Sequence, residues 1–412
     1  MVESKWPLIS VEEAKRVIRA HVRPLEVVEE RFDRAQGLVL AKDVRAAEPM
    51  PPFPASAKDG FAVVADDTTE WRRIVGEQFA GYQADVRVEP GTAVRVTTGA
   101  PIPPGADAVI MVEFSEVRDG FVRFHRRVKP GADIRPPGQD IAQGERVVAA
   151  GTMLGPAELG LLATVGATTV SVYRRPRVGV MSTGNELVEP DEKPGPGQIR
   201  DANRFSLMAA VRNAGAEAFD MGLAPDTAEA LEAFVQEGLE KYDVIVTSGG
   251  VSMGELDLVK PLLERLGTVH FGRVSVKPGK PVTFATVRDK HVFAVPGFPV
   301  SSLVAFEVFA RPAILLMAGW PAERVERPRV PVVLDHDVHH TAARTEYQRA
   351  VVRFKQEDGR FHAVTTGFQG SGRLLSMVGA NALLELPEGH DHFRAGDVVE
   401  ALLVGPIRVP RP

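Results

Sequence analysis

Two apolar runs decide how this chain folds: RVGVMSTG at residues 177–184 and DVIVTSGG at residues 243–250. Each ends in small residues and Gly, which is typical of a buried strand followed by a tight loop. The segments between them have helical periodicity in NRFSLMAAVRNAG and TAEALEAFVQEGLEKY, and the pattern of a short strand in AEAFDMGL. Strands that alternate with helices in this way predict βαβ units and a mainly parallel sheet over residues 175–324.

The segments on either side of this central α/β domain predict β-rich structure. Short β-branched and aromatic runs separated by Gly, Pro and Asp predict one small all-β domain at residues 47–131 and a second at residues 325–412. A capping box at Ser10 and Glu13 and the helical segment GPAELGLLATVG predict a helical, mixed connecting domain that combines residues 1–46 and 132–174. The predicted fold class is therefore an α/β and β multidomain protein.

Composition narrows the possible functions. A chain of 412 residues exceeds a single core, and a formal net charge of −5 gives no reason to expect nucleic acid or a membrane surface as partner. The chain has no cysteine, so a bound metal must be held by oxygen or nitrogen. The N-terminal segment lacks the apolar core of a signal peptide, and we find no apolar stretch of transmembrane length. We therefore expect a cytoplasmic protein.

Three loops follow predicted strands and are rich in Gly and Ser: residues 182–186, 247–257 and 295–301. Ligands of open parallel sheets bind outside the carboxyl ends of the strands, and small residues let backbone N–H groups approach an anion. One such loop alone is usually only a tight turn, but three on one sheet favour a phosphorylated or oxyanionic ligand. A P-loop is excluded because Val274 and Pro281 replace required residues around Gly279 and Lys280.

Charged residues beside these loops suggest two kinds of contact. Glu186, Asp226 and Asp257 are suitable oxygen ligands for Mg²⁺ shared with a phosphate, although Asp226 could equally be an N-cap, with Glu229 completing a capping box. Lysines at both ends of the KPGKP turn and further donors toward the C-terminus suit a tetrahedral oxyanion: Lys277, Lys280, Arg349 and Ser371. Four further residues lie in predicted turns of the N-terminal half, and the sequence pattern alone gives them no role beyond forming those turns: Asp59, Thr98, Arg135 and Asp140.

Taken in order, many segments closely resemble the molybdopterin molybdenumtransferase family, which includes the E domain of gephyrin. The resemblance covers about residues 47 to 390 and rests on the runs PPFPASAKDGFAV, RVTTGAPIPPGADAV, GADIRPPGQDI, GLLATVG, VMSTGNEL, GQIRDANR, TSGGVSMGELD, HFGRVSVKPGKP, VPGFPVSS, EYQR and SGRLLSMVGANALLELP. So many motifs in one collinear order are not a chance match. Within the family, the chain most resembles the gephyrin-like branch, judging by the KDGFAV and RVTTGAPIP runs.

The resemblance implies four domains and an elongated homodimer, with each active site between the α/β domain of one subunit and the N-terminal half of the other. It implies adenylylated molybdopterin and molybdate as substrates, Mg²⁺ as cofactor, release of AMP, and a molybdopterin adenylyltransferase as the partner that supplies the substrate. Carried over by position, the catalytic residues are Asp59, Asp140, Glu186, Asp226 and Asp257, of which the last three bind the metal. The residues expected to bind substrates are Thr98, Arg135, Ser182, Thr183, Gly184, Ser248, Gly249, Gly250, Ser252, Lys277, Lys280, Pro281, Ser301, Arg349 and Ser371.

One departure and two alternatives accompany this resemblance. Phe298 stands where the family commonly has Asn, which removes an amide donor from the PGFPVS loop. The first alternative is molybdopterin adenylyltransferase, whose whole fold resembles the α/β domain alone; the additional domains and the KPGKP run favour the insertase. The second is a non-enzymatic scaffold, as gephyrin is at synapses; the retained acidic and basic site residues favour catalysis.

Overall fold

The structure is a computed structural model that describes residues 6–250, 258–340 and 343–407. It divides into two compact units, one formed by Met1–Glu29, Gly37–Ala41 and Ser171–Pro412, the other by Glu30–Gln36 and Lys42–Val170. The four domains predicted from the sequence divide the chain more finely than this, and their boundaries stay predictions.

The larger unit contains the predicted α/β domain, built on a six-stranded sheet. Its strands are β1 (Arg177–Thr183), β2 (Glu217–Ala224), β3 (Val244–Ser248), β4 (Thr268–Phe271), β5 (Thr283–Val287) and β6 (Lys290–Val295). The order across the sheet is β2-β1-β3-β6-β5-β4. The first four of these strands are mutually parallel, and β5 pairs antiparallel with both β6 and β4. The predicted mainly parallel sheet is confirmed, and β1 and β3 are the strands at which its winding reverses direction.

Helices cover both faces of this sheet because the strand residues alternate between two apolar cores. Val178, Val180 and Val246 belong to one core, whereas Met181 and Ile245 belong to the other. The helices of the domain are α1 (Asn203–Asn213), α2 (Ala228–Lys241), α3 (Val259–Leu266), α4 (Pro299–Ala305) and α5 (Arg311–Met317), with a π turn Phe306–Ala310 between the last two. Residues of α1 and α4 pack on the first core and those of α2 and α3 on the second, so the sheet is buried on both sides.

A helix is expected after the loop at residues 295–301, but the continuous helical run Pro299–Met317 is longer and more apolar than the sequence analysis predicts. By length and composition it could cross a membrane, but 78% of its apolar window is buried inside the protein. Val300, Val304 and Ile314 are completely buried in the core that also contains strand residues of the sheet. The apolar character of this run is therefore explained by its place in the core.

The C-terminal part of the larger unit is a small barrel, as predicted in outline. Its strands are Thr345–Lys355, Arg360–Thr365, Arg329–Leu334, Val398–Leu403 and Ala382–Leu386, in that order around the sheet. Pairing of Thr345–Lys355 with Ala382–Leu386 closes the sheet and removes its edges. The short strand Val276–Lys277 joins the barrel parallel to Thr345 and Glu346, which brings the KPGKP turn against it.

Shorter elements complete this unit. The N-terminal helix Val11–His21 is capped by the Ser10 hydroxyl, which accepts from the Glu13 N–H at 3.1 Å, whereas the Glu13 carboxylate pairs with Arg16. Only the first half of the predicted capping box is thus formed.

The remaining elements of this unit are short. They are the strands Leu187–Val188, Ile199–Arg200, Val338–His339 and His392–Phe393 and the 3₁₀ turns Ala322–Arg324 and Leu374–Met377. The strands Val27–Arg31 and Thr169–Tyr173 lie where the chain passes between units.

The smaller unit contains a six-stranded sheet of its own, with strands in the order Ala108–Met111, Gly60–Val63, Thr92–Val96, Trp71–Gln78, Phe121–Phe124 and Ser115–Arg118. Two further strand pairs form separate two-stranded sheets, Ala55–Ser56 with Ile134–Arg135 and Val44–Arg45 with Arg146–Val148. Its other elements are the predicted helix Pro156–Thr164 and the 3₁₀ turns Phe32–Arg34 and Val112–Phe114.

A buried ion pair fixes the end of the central sheet opposite the predicted ligand loops. Asp243, directly before β3, accepts from Arg174 at 2.6 and 2.8 Å and from the backbone N–H of Arg177 at 2.9 Å. Burial opposes ionisation of Asp243, but these hydrogen bonds outweigh it and lower its pKa. The pair thereby joins the starts of β1 and β3.

We predict that Asp243→Ala lowers the free energy of unfolding by about 2 kcal/mol at neutral pH, because Arg174 and the backbone N–H of Arg177 lose a buried acceptor, while Arg174 keeps its pair with the exposed Glu26. Since the folded-state pKa of Asp243 is lowered, this contribution is complete above the unfolded-state pKa of about 4 and is lost as the pH falls further. Urea unfolding of both proteins at pH 7 and pH 3 measures it. Glu232→Ala, which breaks the surface pair with Arg265, is the control and should cost less than about 1 kcal/mol. Equal losses in both variants would contradict the prediction.

Candidate functional site

A cavity of about 590 Å³ opens at the carboxyl ends of β1, β3 and β6, and we call it the strand-end cavity. These three strands are neighbours in the sheet, so the three predicted Gly- and Ser-rich loops begin at one edge. The cavity is lined by Thr183, Gly184, Glu186, Leu187, Ile199, Asn203, Asp226, Ser248, Gly249, Gly250, Pro281, Pro296, Gly297, Phe298, Pro299 and Ser301. Its place matches the general rule for ligands of open α/β sheets.

The loop after β3 requires glycine. Gly249 and Gly250 have φ angles of +94° and +65°, which other residues adopt with strain. A Cβ atom on Gly249 would lie 2.3 Å from the carbonyl oxygen of Thr183 at the end of β1. The absence of side chains thus lets the two strand ends lie close together and leaves the backbone of this loop accessible from the cavity.

Two of the predicted acidic residues lie around the loop after β1. Asp226 accepts from the Thr183 hydroxyl at 2.5 Å and from the backbone N–H of Asn185 at 3.2 Å. It is not the N-cap of α2, because Thr227 holds that position and accepts from the N–H of Ala230. The capping alternative for Asp226 is therefore wrong, and its carboxylate instead connects the loop after β1 to the start of α2.

The Glu186 carboxylate folds over the same loop, since a Cβ atom on Gly184 would lie 2.5 Å from its Oε2. Glu186 and Asp226 both line the strand-end cavity. Two other predicted site residues, Ser252 and Asp257, lie outside the described residues. Within residues 6–250, 258–340 and 343–407, no group of three or more His, Asp or Glu side chains is arranged to hold a metal ion.

The two described carboxylates nevertheless fit Mg²⁺. This ion is commonly held by one or two carboxylates together with water and the phosphates of a substrate, without a complete protein cage. Glu186 and Asp226 supply hard oxygen atoms beside a Gly-rich loop at which a phosphate can approach the backbone. The donor set is therefore suited to a metal that arrives with its substrate.

Serine residues at the strand ends differ in their accessibility. Ser182 is buried and donates to Asp201 at 3.1 Å, so it does not line the cavity. The reason is strand alternation: Thr183, the next residue, faces the cavity, and Ser182 faces away from it. Ser248 does line the cavity, where its Oγ accepts from the Asn203 amide at 2.8 Å.

Asn203 is a site residue that the analysis of the sequence did not single out. Its amide donates to Ser248 and also to the Gly297 carbonyl at 2.7 Å, so it connects the loops after β3 and β6. Asp201 holds the backbone N–H groups of Asn203 and Arg204 at 3.0 and 3.2 Å. The signal was present in the run GQIRDANR, where a polar Asp-Ala-Asn opens a helix, but the long-range contacts of Asn203 depend on the tertiary fold.

A second cavity, of about 650 Å³, lies between the KPGKP turn and the C-terminal barrel, and we call it the lysine cavity. It is lined by Lys277, Pro278, Gly279, Lys280, Pro281, Ser301, His339, Arg344, Glu346, Gln348, Phe368, Gln369, Gly370 and Ser371. A cis peptide bond between Lys277 and Pro278 shapes the turn, and the Lys280 carbonyl accepts from the N–H of Val274 at 3.0 Å. Because Pro281 and Ser301 line both cavities, the two are adjacent.

The lysine cavity carries an excess of positive charge. Its lining includes three cationic side chains, Lys277, Lys280 and Arg344, and a single carboxylate, Glu346. Glu346 is buried and accepts from the Lys277 ammonium at 3.1 Å, which offsets part of the charge of that lysine. The remaining net charge of about +2 is complementary to a tetrahedral dianion.

Arg349 lies behind the wall of the lysine cavity and is fully buried. Its guanidinium donates to the Ser376 hydroxyl at 3.1 Å and to the carbonyl of Gly370 at 3.3 Å, and burial lowers its pKa to about 10. Gly370 and Ser371 do line the cavity. The structure therefore gives Arg349 the position of a residue that holds the 370–371 turn, whereas we predicted direct contact with the ligand.

Phe298 lines the strand-end cavity and is 64% exposed. It is not among the residues of the lysine cavity. Phe298, which replaces the Asn common in the family, thus changes the lining of the cavity that contains Glu186 and Asp226. It does not change the lining of the lysine cavity.

The four predicted residues of the N-terminal half form two exposed pairs in the smaller unit. Asp59 accepts from the backbone N–H and hydroxyl of Thr98 at 2.6 and 2.9 Å, and these hydrogen bonds lower the pKa of Asp59. Arg135 forms an ion pair with Asp140. The strands Ala55–Ser56 and Ile134–Arg135 are paired, so both clusters belong to one region of this unit.

Comparison with known proteins first identifies the class of protein. Residues 9–166 match the family described as "MoeA N-terminal region (domain I and II)", residues 179–315 match "Probable molybdopterin binding domain", and residues 331–404 match "MoeA C-terminal region (domain IV)". A solved MoeA structure from Pyrococcus horikoshii, titled a molybdopterin biosynthesis protein, covers 97% of this chain and 100% of its own, with a TM-score of 0.83 and 31% identity. The predicted multidomain fold is thereby confirmed.

Curated relatives then identify the family. The molybdopterin molybdenumtransferases of Haemophilus influenzae and Bacillus subtilis are 34% and 33% identical, with 89% and 98% of this chain aligned to 91% and 96% of theirs. Gephyrin of Dictyostelium discoideum is 37% identical over 98% of this chain, which spans 63% of the length of that gephyrin. The chain belongs to the molybdopterin molybdenumtransferase family, a family of transferases in molybdenum cofactor biosynthesis.

Proposed function

We propose that this protein inserts molybdenum into adenylylated molybdopterin, with Mg²⁺-dependent hydrolysis of the pyrophosphate bond and release of AMP. The observation that carries this proposal is the adjacency of two unlike cavities. One has carboxylates beside a Gly-rich loop, the other has an excess of cationic side chains, and Pro281 and Ser301 line both. A nucleotide-linked pterin and an oxyanion could thus be bound side by side.

The strand-end cavity is suited to the phosphates of the adenylylated pterin. The open backbone at Gly250 would offer a donor to phosphate oxygens, whereas the Gly249 N–H and the buried Ser248 hydroxyl already donate to the carbonyls of Val295 and Pro296. Glu186 and Asp226, together with Asp257, would hold Mg²⁺, which neutralises the charge that develops as the pyrophosphate bond breaks. The hydrogen bonds from Thr183 and Asn185 fix the Asp226 carboxylate before substrate arrives.

The lysine cavity is suited to molybdate. Lys280 and Ser371 supply donors, and Lys277 is shared with Glu346, so an entering dianion would compete with that carboxylate for one lysine. Ser301 lines both cavities and would therefore lie between the oxyanion and the pterin. Arg349 would act through the turn 370–371 that its guanidinium holds.

We further propose that the protein works as a homodimer whose active site is completed by Asp59, Thr98, Arg135 and Asp140 of a second subunit, and that a molybdopterin adenylyltransferase delivers the substrate. The pairing of these four residues into two exposed clusters supports a role in contact with a ligand or a second chain. The alternative activity, adenylylation of molybdopterin from ATP, gives no role to the lysine cavity.

We predict that Lys280→Ala raises the molybdate concentration needed for half-maximal insertion about ten- to hundredfold. Loss of one charge-assisted hydrogen bond costs roughly 1.5–3 kcal/mol, which corresponds to that range. Molybdate titrations at saturating adenylylated pterin measure the effect, and the concentration dependence on the pterin should change little. Lys241→Ala, which removes an exposed lysine of α2, is the matched control. Equal molybdate dependence in the wild type and both variants would show that Lys280 is an ordinary surface charge.

We predict that mixing Asp59→Ala chains with Asp226→Ala chains restores activity, although each variant alone is inactive. In a heterodimer with shared sites, one of two sites has both residues intact, so random exchange should recover about a quarter of the wild-type rate. The control mixture is Glu186→Ala with Asp226→Ala, in which every site stays defective. Absence of recovery despite demonstrated subunit exchange would show that each site is built within one chain.

A further inference from the structure

A pair of histidines on the C-terminal barrel lies outside the chemistry proposed so far. His339 and His392 are directly opposite each other on the antiparallel strands Val338–His339 and His392–Phe393. Their Nδ1 atoms are 3.0 Å apart, and their rings are tilted by 35° with centroids separated by 4.4 Å. Both side chains are accessible to solvent.

This separation matches that of two ligands on one metal ion. Imidazole nitrogens bind Zn²⁺ at about 2.0–2.1 Å, so two of them lie about 2.8–3.4 Å apart for bond angles between roughly 90° and 109°. Without metal, the two neutral rings can share only one proton between their Nδ1 atoms. Movement of that proton to the Nε2 atom of the same ring leaves both Nδ1 lone pairs free for one ion.

A carboxylate stands behind the pair. Oδ2 of Asp337 is 3.7 Å from Nε2 of His392, and its Oδ1 accepts from the N–H of Ala395 at 2.8 Å, which fixes the carboxylate. A histidine that binds metal through one nitrogen usually donates from the other to such a group, which orients the ring and strengthens the bond. Asp337 is placed to receive that hydrogen bond from His392.

We propose that His339 and His392 form a surface chelate for a divalent transition metal such as Zn²⁺ or Ni²⁺, oriented by Asp337. Water completes the coordination shell, because two protein ligands are fewer than structural and catalytic zinc sites use. The ligands are nitrogen, which selects Zn²⁺ and Ni²⁺ over Mg²⁺. The proposal is independent of the proposed function, although His339 also lines the lysine cavity and brings the bound ion to its rim.

The test is calorimetric titration of Zn²⁺, and separately Ni²⁺, into the full chain without an affinity tag, in millimolar Mg²⁺ so that carboxylate sites are occupied. We expect one ion per chain, a loss of at least tenfold in affinity in His339→Ala and in His392→Ala, and a loss of about ten- to hundredfold in Asp337→Asn. The Asp337→Asn variant keeps both histidines, so its loss distinguishes an oriented site from two nearby rings.

The matched control is His390→Ala, which removes a neighbouring histidine whose ring stacks on Phe393. This variant should bind as the wild type does, and the thermal unfolding of every variant without metal should match the wild type because the side chains are exposed. Absence of saturable binding, or an equal loss of affinity in His390→Ala, would overturn the proposal. In the first outcome the pair is a plain histidine–histidine hydrogen bond, and in the second the strand binds metal without a defined site.

Discussion

The parallel pairing of β1, β3 and β6 is the constraint on which the site depends. Since parallel strands end at the same edge of a sheet, this pairing brings together three loops that are far apart in the chain. The close approach of the first two loops requires that Gly249 lack a side chain, because a Cβ atom there would meet the Thr183 carbonyl. Asn203 then connects the loop after β3 to the loop after β6. The strand-end cavity is the space that these contacts leave open.

The second cavity depends on how the barrel is attached. The strand Val276–Lys277 extends the barrel sheet, so the turn that follows it presents its lysines to barrel residues. Ser301, at the start of the buried helical run Pro299–Met317, lines both cavities. The rigid core beneath that run therefore sets the distance between a site rich in carboxylates and a site rich in cations.

Much of the fold could be predicted from the sequence because its signals are local. Strand patterns that end in Gly and Ser, helices with apolar periodicity, and short β runs on either side all correspond to elements of the structure.

The positions of the site residues were harder to predict, because the direction of a side chain depends on its neighbours in space. Ser182 and Thr183 are adjacent in sequence, yet only Thr183 faces the cavity. Arg349 has the charge for an oxyanion ligand, but the strand that carries it places the guanidinium behind the cavity wall. Asn203 and Glu346 contribute through contacts with residues distant in sequence, which no local pattern reveals.

The proposed function requires that the chain consume adenylylated molybdopterin and use molybdate to do so. The most direct measurement is release of AMP from that substrate by the purified protein, with molybdate and Mg²⁺ each present or omitted. We predict that AMP release and molybdenum insertion occur together and require both molybdate and Mg²⁺. AMP release at the same rate with and without molybdate would contradict the proposed function. Formation of adenylylated product from ATP and molybdopterin would also contradict it, and would favour an adenylyltransferase.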